Sequence, residues 1–158
     1  VIVRAWRIVA DQYKKTALNG EGARRYGGRW NNKEVPMIYL ANSRPLAAME
    51  LFIHINSHQV LKHYLFISVA FDSQLMLSLD QEALPCDWAD SPAPLSTKRI
   101  GDEWSMSQKS LVLEVPSVLF PGEFNYLVNP IHPNFDQIQS FPPESFQFDP
   151  RLIRRRNF

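Results

Sequence analysis

Apolar residues cluster along the chain in short runs separated by polar, glycine-rich or proline-rich stretches. Residues 3–9, VRAWRIV, read as a strand with Trp6 and Ile8 on one face and Arg4 and Arg7 nearby. Residues 37–41, MIYLA, read as a short strand, and 64–71, YLFISVAF, as a longer one. Residues 110–115, SLVLEV, form a third clear strand ended by Pro116; 124–128 are a further candidate, followed by the turn Asn129-Pro130. Residues 146–148 supply a last short strand. Between the first two strands lies the glycine-rich polar loop 19–32, NGEGARRYGGRWNN. Ser43 suits a helix N-cap and Pro45 falls in the first turn, where its missing N–H costs little. The helix so begun is expected to run to about residue 56 or 57. Leu46, Met49, Leu51, Phe52, Ile53 and Ile55 make it apolar nearly all round, which predicts a buried helix. Residues 84–96 read as a proline-rich surface excursion and 100–109 as a short helix. Helices do not alternate regularly with strands, so the expected class is α+β, a mixed α/β fold without parallel βαβ winding.

No internal repeat or low-complexity linker interrupts the 158 residues, and that length favours one domain. With 45% hydrophobic and 21% charged residues the composition is that of a globular protein with a core of its own. Seventeen basic against sixteen acidic side chains give a net charge of +1, which argues against direct nucleic-acid binding. No apolar run approaches the roughly 18 residues of a membrane span, and the opening VIVRAWRIVA is too arginine-punctuated for a secretory leader. The single cysteine, Cys86, has no internal disulfide partner. A reducing, cytoplasmic setting is expected.

Candidate chemistry falls in three segments. Loop 19–32 carries Arg24, Arg25 and Arg29 among its glycines. Glycine lets the backbone approach an anion and guanidinium grips phosphate bidentately, so the loop is either a phosphate site or an ordinary surface loop. Trp30 can hold it by packing. Glu50 has apolar neighbours on both sides, and a buried carboxylate is either fixed by a partner for structure or kept for catalysis. Tyr39, one strand–turn–helix unit earlier, can face the same cavity. His54 and His58 follow Glu50 at four-residue steps, a weak zinc pattern with no further ligand nearby, so no metal is expected; His58 better suits a helix C-terminus. Ser117 follows a strand and a proline, but no Gly-x-Ser-x-Gly elbow surrounds it. Asn129-Pro130 and His132-Pro133 make a stiff double turn. The basic run 151–156, RLIRRR, reads as a solvated tail.

Taken together, GARRYGGRWN, IYLA, AAMELFIHI and LEVPSVLFPGEFNYLVNPIHPNF resemble, in order and spacing, the RES domain, a bacterial family named for an arginine, a glutamate and a serine. The resemblance spans most of the chain and implies a single RES domain over 1–158, its tail from about 150 exposed, with a fold related to the ADP-ribosyltransferases. It implies the toxin of a type II toxin–antitoxin pair, which depletes NAD by cleaving the nicotinamide–ribose bond; a protein ADP-ribosyltransferase is the alternative. Arg29, Tyr39 and Glu50 match the catalytic set by position, and Ser117 the family serine. Glu50 would stabilise an oxocarbenium-like transition state, Arg29 would hold the pyrophosphate and Tyr39 would pack against nicotinamide or ribose. Ser117, Trp30 and Asn129 complete the expected substrate-binding set. The acceptor is left open among water, inorganic phosphate as a co-substrate, and a protein side chain; no cofactor is implied beyond NAD as substrate. The implied partner is an antitoxin with an Xre-type helix-turn-helix domain, with a toxin homodimer inside that complex as one arrangement. A ribonuclease toxin and a non-catalytic binding module are the competing classes.

Overall fold

The computed structural model describes residues 1–153. In chain order it holds β1 (Ile2–Ala10), α1 (Glu21–Tyr26), β2 (Ile38–Ala41), α2 (Arg44–Phe52), α3 (Ser57–Val60), β3 (Tyr64–Asp72), β4 (Met76–Ser78), α4 (Leu95–Ser107), β5 (Val112–Pro116), β6 (Phe124–Val128), β7 (Gln139–Ser140) and β8 (Glu144–Phe146). The strands form one sheet in the order β4-β5-β6-β2-β1-β3-β7, with β8 also pairing to β3. The α+β class holds: every pairing is antiparallel except β4 with β5. That exception corrects the expectation of no parallel crossover, because α4 joins β4 to β5 and makes one β–α–β unit. β4 escaped the sequence reading since a three-residue strand is too short to show a period.

β1 and β3 pair over nine residues, from Ile2 with Asp72 to Ala10 with Tyr64. β3 is buried from Tyr64 to Phe71 and therefore reads as a continuous apolar run. In contrast, β1 and β2 are in register only at Trp6 with Ala41. β2 continues instead along β6, pairing Ile38–Ala41 with Val128–Asn125. The core lies on the sheet: Ile38, Leu40, Val69, Phe71, Val112 and Val128 pack in one cluster, and Ile8, Leu46, Ala47, Val60 and Phe66 in another. Each of these side chains except the smaller Ala47 contributes on the order of 1.5–3 kcal/mol by leaving water.

α2 begins as read. The Ser43 side chain accepts from the Leu46 amide and Pro45 sits in the first turn. It ends sooner than expected, at Phe52, because Asn56 caps a new helix: its side chain accepts from the Gln59 amide while the Gln59 side-chain oxygen accepts from the Asn56 amide. Nor is α2 buried all round. Leu46 and Ala47 are buried, whereas Ile53, just past its end, is 52% exposed. The glycine-rich segment also proves more ordered than a loop, since Glu21–Tyr26 is helical. The helix expected over 100–109 starts at Leu95, inside the stretch read as excursion, and the last strand lies at Glu144–Phe146 rather than 146–148. Most of the C-terminal arginine run lies outside the described residues; within them Arg151 is paired to Asp149. Among the described residues no helix is long and apolar enough to cross a membrane.

Candidate active site

A cavity of about 900 Å³ opens beside the place where β1 and β2 stop pairing. Its lining draws on the sheet and α2 through Arg7 of β1, Tyr39 of β2, Glu50 of α2 and Asn125 of β6, and on Gly28, Arg29 and Trp30 with Ser91–Ala93 and Lys98. Arg29, Trp30, Tyr39 and Glu50 thus line one cavity.

Glu50 projects from α2 toward β6. Its Oε1 accepts from the Asn125 amide at 2.7 Å, and the same amide group also donates to the Leu40 carbonyl at 3.2 Å. Asn125 is fixed by strand register, opposite Ala41 of β2 and Val115 of β5. Burial pushes the Glu50 carboxyl above its ordinary range, and the Asn125 bond partly opposes that. No ion pair forms between Glu50 and a basic side chain among the described residues. Of the two readings open for a carboxylate among apolar neighbours, the salt-bridged structural one therefore has no partner here.

Arg29 follows Gly28, which must be glycine: a Cβ there would lie 2.6 Å from the Tyr39 hydroxyl oxygen. One guanidinium nitrogen of Arg29 donates to the carbonyls of Trp88 (2.9 Å) and Asp90 (2.8 Å). A guanidinium has five N–H donors, so these bonds leave others for a ligand. Burial lowers the Arg29 pKa, opposed by Tyr39 and Asp90, without threatening its charge. Tyr39 is not a free hydroxyl. It accepts from the Trp30 amide at 3.0 Å and donates to Asn31 Oδ1 at 2.5 Å, and burial raises its pKa. It contributes a ring to the cavity and a brace to the Arg29 turn. Trp30 is 3% exposed and packs with Met37, Trp104, Leu113, Val115 and Leu127, so it serves mainly as core.

Two expected substrate contacts stand apart. Ser117 is buried just after β5 and does not line the cavity, although its neighbours Pro116 and Val118 do. Its oxygen accepts from the Leu119 and Phe120 amides, so it folds the turn that places them. Asn129 is fully buried away from the lining, donating to the Ser105 carbonyl and accepting from the Ile131 amide. The histidine ladder does not form, because the chain leaves α2 before His54 and His58 belongs to α3. His58 does sit in the last turn of its short helix, and among the described residues no metal-binding group of three appears.

The structure adds Arg7 and Asn125. Arg7 is half-buried, donates to the Ala17 carbonyl at 2.7 Å, and meets no carboxylate partner among the described residues. Burial lowers its pKa. A signal existed: Arg7 shares its strand face with Ala5 and Val9, both buried. Asn125 likewise shares a face with buried Leu127. The cavity therefore offers two guanidinium groups, a carboxyl with a raised pKa and a brace of buried amides. That set can hold an anionic ligand and stabilise positive charge developing nearby.

Residues 4–149 match the RES domain. The chain belongs to the RES-domain toxin family. It is 41% identical to Toxin Res of Yersinia enterocolitica over 148 residues, covering 93% of this chain and 97% of that one. It is 35% identical to the Prs ADP-ribosylating toxin of a Sphingobium species over 155 residues, covering 95% and 96%. Its fold is similar to a chain in the crystal structure of the M. tuberculosis MbcT–MbcA toxin–antitoxin complex, with TM-score 0.75, 21% identity, and coverage of 98% of this chain and 88% of that one. This RES domain thus has the mixed α/β architecture expected of it, and shares its fold with that chain.

Proposed function

We propose that this RES domain cleaves the nicotinamide–ribose bond of NAD, as the toxin of a toxin–antitoxin pair acting in the cytoplasm. The observation that carries the reading is the Glu50 carboxyl, held by Asn125 and without an ion-pair partner among the described residues, in the same cavity as the guanidinium groups of Arg7 and Arg29. Breaking that bond leaves positive charge on the ribose, as in glycoside chemistry. The Glu50 carboxylate stabilises this charge and takes a hydrogen bond from a ribose hydroxyl. Nicotinamide leaves as a neutral group from a cationic one, so no general acid is needed. Arg29 and Arg7 hold the pyrophosphate, and the Tyr39 ring bounds the nicotinamide–ribose end. No resident cofactor or metal takes part; water or inorganic phosphate accepts the ribosyl group. The partner is a protein antitoxin that covers the cavity, of the Xre type by family resemblance, with a toxin homodimer inside the complex as one arrangement.

The test is release of nicotinamide from NAD by the purified chain, with Glu50→Gln as the control. Turnover by wild type and none by a folded Glu50→Gln supports the reading; equal turnover makes Glu50 structural. A second reading, transfer of ADP-ribose to a protein, is favoured by the 35% identity to a relative named as an ADP-ribosylating toxin. Radiolabelled NAD separates the two. A labelled protein band means transfer, and free ADP-ribose or its phosphate means turnover.

A further inference from the structure

Arg29 stands on a turn with little secondary structure of its own: apart from the isolated bridge between Gly28 and Asn31, no ladder or helix fixes residues 28–32. α4 touches three of these residues. Thr97, fully buried, donates its hydroxyl to the Arg29 carbonyl at 2.6 Å. Gly101, one turn later, presses against the Trp30 carbonyl so closely that a Cβ would lie 1.7 Å from that oxygen. Asp102 accepts from the Asn32 amide at 3.0 Å through one oxygen and from the Asn32 side chain at 2.7 Å through the other. A four-residue spacing puts Thr97 and Gly101 on one helical face, and Asp102, about 100° further round, reaches the turn from the flank of α4. From the opposite side Tyr39 holds Trp30 and Asn31.

We propose that Thr97 and Asp102 are positioning residues for Arg29, forming with Gly101 a clamp by which α4 sets the guanidinium against the substrate pyrophosphate. The inference rests on the NAD reading above. Neither Thr97 nor Asp102 lines the cavity. Both act on backbone, so the aim of the Arg29 side chain depends on where they hold its Cα. A bidentate grip on phosphate tolerates little displacement, and small misplacements of a bound group are costly. The pyrophosphate lies away from the bond that breaks, so a loosened clamp weakens substrate binding more than the chemical step.

The decisive comparison uses Thr97→Val, which keeps the shape and loses the donor, Thr97→Ser, which restores it, and Asp102→Asn. Thr97→Val and Asp102→Asn are expected to raise KM for NAD about tenfold with kcat within about twofold of wild type, while Thr97→Ser returns KM to near wild type. On an Arg29→Ala background the same substitutions should add almost nothing, because coupled residues are non-additive. Unchanged KM in both variants overturns the clamp. So does a loss that persists in full on the Arg29→Ala background, which marks a merely structural role. Calorimetric binding of inorganic pyrophosphate gives a readout free of turnover. If wild type releases no nicotinamide, NAD cleavage fails while the clamp is still decided: pyrophosphate binding weakened alike by Thr97→Val and Arg29→Ala upholds it, and binding untouched by Thr97→Val overturns it. A wild type that cleaves NAD beside variants with wild-type KM leaves the NAD reading standing and removes the clamp.

Discussion

The two walls of the cavity are built in different ways. On one side Arg7, Tyr39 and Asn125 stand on strands, and Asn125 is locked between β2 and β5 by register. Glu50 projects onto them from a capped helix. On the other side Arg29 is held by side chain–backbone bonds to residues far along the chain, Trp88, Asp90 and Thr97. A ladder gives its position cooperatively, whereas single bonds from side chains open one at a time. The chemistry assigned to each wall follows: the carboxylate that must meet developing charge is on the rigid wall, and the grip on a remote phosphate is on the adaptable one.

If this division is right, the largest effect comes from the rigid wall. Glu50→Ala should lower the rate of nicotinamide release by at least about a hundredfold, the scale of losing a charge-stabilising group in a closed site. Stability should move the opposite way. Burial raises the folded-state pKa of Glu50, so its contribution to stability is fully present below the ordinary 4.5 and is lost as pH rises through the raised value. Glu50→Gln should therefore melt higher than wild type at neutral pH, and the gap should close on acidification. A neutral-pH Tm below wild type would mean that the Asn125 bond outweighs the burial cost.

The adaptable wall is tested through its one rigid contact. Gly101→Ala forces a methyl group into the Trp30 carbonyl, and backbone on both sides must shift. Overpacking of this kind costs about 1–3 kcal/mol, so thermal melting should show a drop of several degrees together with a raised KM. A variant with wild-type Tm and wild-type KM would show that α4 gives way freely at this contact, and Gly101 would drop out of the clamp.

A finer cut separates Glu50 from its partner. The Asn125 bond holds the carboxyl pKa down against burial, so Asn125→Ala should raise it further. Catalysis by the carboxylate is lost as pH falls through that pKa. The acid limb of kcat/KM should accordingly lie above the ordinary carboxylate range in wild type and move to still higher pH in Asn125→Ala. A limb that stays in place would show that Asn125 orients Glu50 without tuning it.

Much of the rigid wall was legible in the sequence, because period-2 apolar runs and the Ser43-x-Pro45 cap are local signals. Glu50 stood out as a charge among apolar residues. Arg7 and Asn125 were missed although each interrupts a buried strand face, since a single polar residue in a strand more often turns to solvent. The end of α2 was misplaced because the apolar residues run on through Ile53 and Ile55; the Asn56–Gln59 capping box outweighed that pattern. The adaptable wall was far less legible. That Arg29 would bond carbonyls about sixty residues away, or that Thr97, Gly101 and Asp102 would all meet its turn, depends on how the chain packs around that turn, and no local pattern encodes it. Ser117, matched by position, and Asn129, expected to bind substrate, fold turns instead of lining the cavity, as buried polar side chains often do by satisfying backbone groups.

The smallest effect is expected just outside the adaptable wall, at the two other arginines of the glycine-rich segment. Arg24 is engaged by Glu21 at 2.9 Å and by Glu34 at 2.9 Å, and its own carbonyl accepts from the Glu34 amide. Arg25 reaches Glu21 only at 3.8 Å and is largely exposed. Neither lines the cavity, while Arg29 does. Surface pairs of this kind add little, and their charges are already answered by carboxylates, which leaves them poor ligands for a phosphate. Arg24→Ala and Arg25→Ala should thus keep kcat/KM for NAD within about twofold of wild type. Arg29→Lys should lose at least about tenfold, since an ammonium cannot reproduce the planar fork. The comparison is made on one preparation of NAD at one ionic strength, because screening would blur a difference carried by exposed charges. An Arg29→Lys enzyme as active as wild type, beside a dead Arg25→Ala, would move the phosphate grip to α1 and erase the distinction between the two walls.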